Sequence, residues 1–447
     1  MNPIPAAAAR NQRPGSPGDP GRREARNTLA IELYQVIVRV GWIFKTETII
    51  MPAVLDAVVD SGLLRGLLPV LNRGGQSVPP LLASGAVARL PVKKWALVRT
   101  SLAMAAWFGL LAALWGPLAA RRPDLLAVLF LVLYGLFSVS IGLNQLVLAA
   151  LQGKLISPGH RGRAMVVSVA IGSVLAILAA VALLGPWLEE EDGFSKIFAV
   201  TGLFFGIAAV VPAFLDEPPD RCESVDHPDP PWGWQRACGA MASWRTTLVV
   251  DPALVRTCLV AACFSAVLML FPHYQAFARD RLGSPIGSLL TWVVVQNAAT
   301  GVASLVAGPI SDRRGTRIVL VWLVALSSVT PLVVVLLSLL PQSVAVEWFW
   351  LVYLPLGLNP ISLKIFTNYA LELAPEAADH PRYVSIVGAA LAAPFVLSPL
   401  IGFAVDRVGF RHVFGIGAAV IAAGAVIAFG LPEPRRGHQP PAPRPTS

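Results

Sequence analysis

The chain has 447 residues, 55% of them hydrophobic and only 14% charged, where a soluble domain carries roughly 25% charged residues. With a mean hydropathy of +0.66, this balance excludes a soluble core and indicates a membrane protein, because each crossing of a bilayer core of about 30 Å needs roughly 20 apolar residues. The net charge of +9 sits mostly in short loops on one predicted side, so it is read as a topology device that says nothing about nucleic acid, and no nucleic-acid partner is expected.

Residues 1–28 are rich in Pro, Gly, Arg and Ala and lack an apolar h-region, which predicts a disordered tail and no cleavable signal. Six spans are then predicted at 33–57, 63–87, 95–119, 125–150, 164–187 and 195–215. The first two are polar enough to escape a hydropathy window. Span one holds Arg39, Lys45 and Glu47, span two Asn72 and Arg73, and span four Asn144 and Gln145. Each charge costs roughly 2.5–3.5 kcal/mol at a helix centre, so it tends to face a cavity or a partner. On a continuous helix Gln35, Arg39, Trp42 and Thr46 share an arc of about 60°, with Lys45 at its margin. Glu47 lies off this stripe, and two readings stand for it: a structural pair with Arg73, or a proton-coupling carboxylate.

Residues 216–252 form a polar linker with a Pro-rich start. Its Trp232, Trp234 and Trp244 fit either an amphipathic helix on the membrane surface or a segment packed on the bundle. Six further spans follow at 254–277, 285–308, 315–340, 346–372, 383–405 and 410–431. His273 is expected to be interfacial with a local hydrogen bond, a proton shuttle being the alternative. Gln296 and Asn297 add polarity to span eight. In span ten Pro355, Gly357 and Pro360 predict a broken helix beside Asn359 and Lys364. The four cysteines, at 222, 238, 258 and 263, have no zinc-ligand spacing and are assigned no chemistry; no metal or other cofactor is expected. Arg10, Arg13, Arg22, Arg23 and Arg26 precede span one, and Arg89, Lys93, Lys94, Lys154, Arg161, Arg163, Arg313, Arg314 and Arg317 occupy same-side loops. This bias places both termini in the cytoplasm.

The run Gly308 to Arg317, with Asp312, Arg313 and Gly315, lies between two apolar spans, and a worn copy at Gly85 to Lys94 precedes it by 223 residues. The ends Leu215-Asp216-Glu217-Pro218 and Leu431-Pro432-Glu433-Pro434 repeat at an offset of 216. These features indicate a duplicated membrane unit. The loops resemble the Gly-x-x-x-Asp-Arg-x-Gly-Arg-Arg/Lys pattern of the major facilitator superfamily. Gly308, Asp312, Arg313, Gly315 and Arg317 match, as do Gly85, Lys93 and Lys94, whereas Arg89 replaces the aspartate and Val92 the second glycine. A further match at Gly402 to Arg411, with Asp406, Arg407 and Gly409, falls in a predicted extracellular loop and is read as turn chemistry.

The resemblance implies an all-α membrane protein of twelve transmembrane helices in two six-helix bundles. Its parts would be a tail at 1–28, bundles at 29–215 and 253–434, a cytoplasmic linker at 216–252 and a tail at 435–447. It implies a central cavity lined by helices 1, 4, 7 and 10, and alternating access by rocking of the halves, with Asp312 and Arg313 stabilising the outward-facing state. The expected substrate-binding residues are Arg39, Lys45, Arg73, Asn144, Gln145, Gln296, Asn297, Asn359 and Lys364, with Glu47 the coupling candidate. The cationic excess favours an anionic solute. Expected partners are that solute, the lipid bilayer and a coupling proton or cation; the chain is expected to act as a monomer in the cytoplasmic (inner) membrane. No hydrolase, nucleotide-binding or zinc-protease motif occurs, so no enzyme activity is expected. The alternatives are a transporter-like sensor or assembly factor, and a drug/proton exporter. The exporter is disfavoured because Leu184-Gly185-Pro186-Trp187 lacks the glycines that follow in antiporters.

Overall fold

The computed structural model describes residues 20–220, 244–376 and 379–434, with some side chains inside these ranges left out, notably those of 158–167 and Asp312. Trp232, Trp234, Cys222 and Cys238 lie outside the described residues.

Apart from short turns the described chain is helical. The first unit comprises α1 (Pro20–Phe44), α2 (Ile50–Asp56), α3 (Gly62–Ala88), α4 (Lys94–Ala119), α5 (Pro123–Leu155), α6 (Pro158–Ala179) and α7 (Gly193–Val210). The second comprises α8 (Pro252–Asp280), α9 (Ser288–Arg314), α10 (Thr316–Leu337), α11 (Gln342–Trp348), α12 (Asn359–Leu373), α13 (His380–Ala392), α14 (Ser398–Val408) and α15 (Phe410–Phe429). Ten stretches, all from α4 onward, are long and apolar enough to cross a membrane. The stretches α1–α2 and α3, spans one and two of the sequence, do not meet that criterion, as their polar content predicts.

Local chemistry sets the ends. Ser61 caps α3 by accepting from the Leu64 amide at 3.4 Å. Asp251 caps α8 by accepting from Ala253 and Leu254 at 2.9 and 3.1 Å, satisfying amides that a helix start leaves open. A π-helical turn at Ala180–Leu184 extends α6 before Gly185-Pro186. Where α12 would otherwise continue from Tyr353–Leu356, the chain breaks at Gly357 and Leu358, as the Pro355-x-Gly357-x-x-Pro360 spacing predicts.

The repeated Glu-Pro ends have a common structural role. Glu217 is buried and accepts from the Lys93 and Lys94 amides at 2.9 and 2.7 Å, at the start of α4. Glu433 lies against Gly315 at the start of α10, so close that a β-carbon on Gly315 would sit 2.5 Å from its Oε1. In each unit the segment after the last helix thus returns a carboxylate to the positive N-terminus of the unit's third span, α4 or α10. The turn motif itself is shorter than expected: α9 runs through Arg314 and only Gly315, at φ +93°, makes the turn. Gly308 sits inside α9 with open space where a side chain would go, so it is not needed for the turn. Gly409, at φ +92°, makes the same one-residue turn between α14 and α15.

The two units meet through α3 against α8 and α14, α2 against α8, and α6 against α9. Calling the end where α1 begins and α15 finishes the near end, several of these contacts gather at the far end.

Candidate functional site

The first span is not the continuous helix that its polar stripe assumed. Its helix ends at Phe44 and resumes at Ile50. In the gap the amides of Ile49, Ile50 and Met51 all converge on the Thr46 carbonyl, at 3.3, 2.8 and 3.2 Å. This corrects two placements. Lys45, expected in the substrate wall, is fully buried behind it, with Nζ 2.5 Å from Glu47 Oε1 and 3.9 Å from the Trp42 ring centroid. Glu47 therefore has Lys45 as its ion-pair partner, not Arg73, although the Arg73 guanidinium is near enough to feel its charge.

In front of this gap lies a cavity of about 430 Å³ between the two units. From the first unit it is lined by Gln35, Arg39, Trp42, Thr46, Glu47, Arg73, Asn144 and Gln145, and from the second by Gln296, Asn297 and Asn359. Two of the nine expected binding residues are absent from this lining: Lys45 for the reason given, and Lys364, which is exposed one turn beyond Pro360 and near enough to Arg39 for the two charges to repel. Gln145 lines the cavity and is itself exposed.

The polar atoms of the wall divide into spent and available groups. The Asn144 amide is spent, donating to Thr100 and Ser101 at 3.0 Å each and accepting from Tyr34 at 2.9 Å. Gln296 accepts from Thr48 at 2.6 Å across the unit boundary, and Asn297 donates to the Val293 carbonyl at 2.9 Å. By contrast, Arg39 Nε and Asn359 Oδ1 are buried without a hydrogen-bond partner. A buried group left so costs roughly 1–3 kcal/mol, a cost that a ligand can relieve. Arg73 stands 5.8 Å from the Phe395 ring centroid of the other unit. Sequence reasoning missed Tyr34, Thr48, Gln76, Ser168 and Thr300 in the lining. Gln76 and Thr300 were within reach of helical spacing, each one turn from a residue already singled out.

The far end is closed by short contacts. Asp406 accepts from the Gly62 amide at 2.9 and 3.2 Å, capping α3 from across the unit boundary. A β-carbon on Gly402 would lie 1.9 Å from the Gly62 carbonyl oxygen, and one on Gly66 would lie 2.4 Å from that of Ser398. The match at Gly402 to Arg411 is thus more than turn chemistry. His273 also departs from expectation: it is fully buried, and neither ring nitrogen has a hydrogen-bond partner.

At the near end the loop residues act within their own units. Arg89 closes α3, its amide donating to the Gly85 carbonyl at 3.3 Å. Lys93 pairs with Asp220, which also meets Lys154 at 2.8 Å. The bonds from Lys154 and Lys93 hold the Asp220 carboxyl below the usual carboxylate range. Arg317 donates to the Phe429 carbonyl at 2.6 Å, and Arg313 is exposed; the side chain of Asp312 lies outside the described residues. Cys258 and Cys263 are free thiols in α8.

Comparison with known proteins agrees with this architecture. Among solved structures, a point mutant of the nucleoside transporter NupG is similar at TM-score 0.67 and 11% identity, covering 90% of this chain and 99% of that one. A D-xylose-proton symporter is similar at TM-score 0.66 and 12% identity, covering 92% and 99%. A bacterial homologue of the human lysosomal transporter Spinster, in an inward-facing and unoccupied conformation, is similar at TM-score 0.60 and 14% identity, covering 96% and 100%. At these identities the likeness shows the fold alone. A comparison with curated proteins found no match. The sequence profile of the Major Facilitator Superfamily matches residues 66–363 and 281–447, and the chain belongs to that superfamily of membrane transporters.

Proposed function

We propose that the chain moves a small anionic solute across the cytoplasmic (inner) membrane by alternating access, with the near end and both termini on the cytoplasmic side and α1–α2 and α3 completing twelve spans. The observation that carries this reading is the charge of the cavity wall. Arg39 and Arg73 line it, and the one lining carboxylate among the described residues, Glu47, is already held by Lys45. The wall therefore presents net positive charge in surroundings where water screens it poorly, with Lys364, outside the lining but within reach of the Arg39 charge, adding to it. Asn359 Oδ1, an acceptor, would take a donor group on the same solute. The basic loops Arg89 to Lys94 and Arg313 to Arg317 support the orientation. In this scheme the chain acts as a monomer, and no step in it requires catalysis. Glu47 is the coupling candidate inside the cavity: a proton on it would free Lys45 and change the balance felt by Arg73.

The test is thermal stability of the purified protein against a panel of anionic, neutral and cationic metabolites, since a ligand at 100 times its Kd stabilises by about 2.7 kcal/mol. An anion should raise the melting temperature of the parent, and the rise should vanish in Arg39→Ala and Arg73→Ala. Stabilisation by cations or neutral solutes alone, or anion stabilisation unchanged in both variants, would overturn the reading. The relatives named above transport a nucleoside or couple xylose to protons, so the fold itself leaves the solute open.

A further inference from the structure

Away from the cavity, a charged cluster ties the two units together at the far end. Arg65 of α3 is buried, with Nε 2.5 Å from Asp56 Oδ1 of α2, and its Nη2 pairs with Asp60 of the same unit. The same Nη2 reaches Asp280 Oδ2 of α8, in the other unit, at 3.6 Å. A second link crosses the boundary where Gln275 of α8 donates to Asp56 Oδ2 at 2.5 Å. The groups facing this cluster are His273, Arg279 and Arg281, from α8 and the residue after it. Asp406, the nearest acid of α14, is engaged by the Gly62 amide.

Two features distinguish this arrangement from an ordinary structural ion pair. Three carboxylates share Arg65, and Asp56, the most buried of them, keeps only 8% of its side chain exposed. Beside them, both ring nitrogens of fully buried His273 and Nη1 of Arg65 have no hydrogen-bond partner. A neutral imidazole always carries one N–H and one lone pair, so polar capacity is held ready beside the three carboxylates. Asp60 and Asp280 are exposed at 76% and 37% and connect the buried groups to solvent on the far side.

We infer that this cluster is a proton-binding site whose occupancy releases the far-end closure. The inference rests on the transport reading above and adds the place where a coupling proton enters. Both cross-unit links use a carboxylate as acceptor. A proton taken from far-side solvent by Asp280 or Asp56 neutralises that acceptor, leaves Arg65 with fewer counter-charges and weakens the bond from Gln275. Because the proton then binds the far-open state more tightly than the far-closed one, binding and opening are linked. His273 takes up hydrogen bonding with Arg65 or the protonated carboxyl as the links part.

The test is a distance measurement between spin labels on Arg121→Cys and Leu340→Cys, one in each unit at the far end, with the four native cysteines replaced by serine. Between pH 8 and pH 5 the long-distance population should rise at least tenfold. Asp56→Asn should show that population already at pH 8 and lose the pH response, while Asp60→Asn, altering the exposed acid, should retain it. Should Asp56→Asn fail to fold, Asp280→Asn must show the same loss. Unchanged distances in the parent across this pH range, or parent-like titration in the foldable variants of Asp56 and Asp280, would overturn the proposal. The measurement needs no solute, so it stands or falls independently of the anionic substrate.

Discussion

Substituting Gly402 by alanine tests the far-end closure by steric means. In the closed arrangement the added carbon would sit 1.9 Å from the Gly62 carbonyl oxygen and 2.5 Å from its carbon. Both are backbone atoms and cannot rotate away, so α14 and α3 must separate by more than 1 Å, a shift of roughly the size that overpacking a protein interior demands at about 1–3 kcal/mol. In a far-open state the two helices no longer touch and that cost disappears. With each 1.4 kcal/mol worth a factor of ten, the ratio of far-open to far-closed molecules should rise about 5- to 140-fold. Spin-label distances across the far end at fixed pH read this ratio directly. Gly74→Ala and Gly308→Ala serve as controls, since nothing lies within 4 Å of the added carbon at either position. Asp406→Ala should move the ratio in the same direction, because loss of an N-terminal cap costs roughly 0.5–2 kcal/mol. A Gly402→Ala protein with the parent's distance distribution would refute the reasoning.

Three further outcomes are expected. Glu217→Ala removes the acceptor for the Lys93 and Lys94 amides and the buried one of the two acids that meet Lys154; unfolding in denaturant should show a loss of roughly 3 kcal/mol, the scale for breaking a buried ion pair. Gly357→Ala places a carbon 2.5 Å from the Gln296 carbonyl oxygen at the cavity wall, so solute-induced stabilisation should fall at least tenfold in apparent affinity while the fold persists by circular dichroism. Asp220, whose carboxyl is held below its usual range by Lys154 and Lys93, contributes stability that is present above its unfolded pKa and is lost as pH falls through the lower folded value. Melting temperatures measured from pH 7 down to pH 3 should therefore show a smaller acid-side decline in Asp220→Asn than in the parent.

The architecture was legible because helix length and apolarity are written into composition, and the duplication into two loops and two Glu-Pro ends. Arg39, Arg73, Gln145, Gln296, Asn297 and Asn359 could be placed near a cavity since polar side chains in lipid-length helices have few other places to go. Lys45 could not be placed correctly: nothing in the run Phe44-Lys45-Thr46-Glu47-Thr48 breaks a helix as proline would, and the gap exists because Thr46 gathers three amides and Lys45 finds Glu47 two residues on. The same holds for Asp406. Its role depends on α14 meeting α3, a pairing between residues 344 positions apart that no local pattern records. His273 looked interfacial from its neighbours Pro272 and Gln275, but α8 continues past them to Asp280 and carries it into the interior.

The return of Glu217 and Asp220 to the loop before α4 has a practical consequence for dividing the molecule. A first half cut at residue 215 would lose the acceptor of the Lys93 and Lys94 amides and the acids that pair with the Lys93 and Lys154 side chains, and would leave two cations and an open helix start facing one another. Separately expressed halves should therefore reassemble when split beyond Asp220 and fail when split before Asp216.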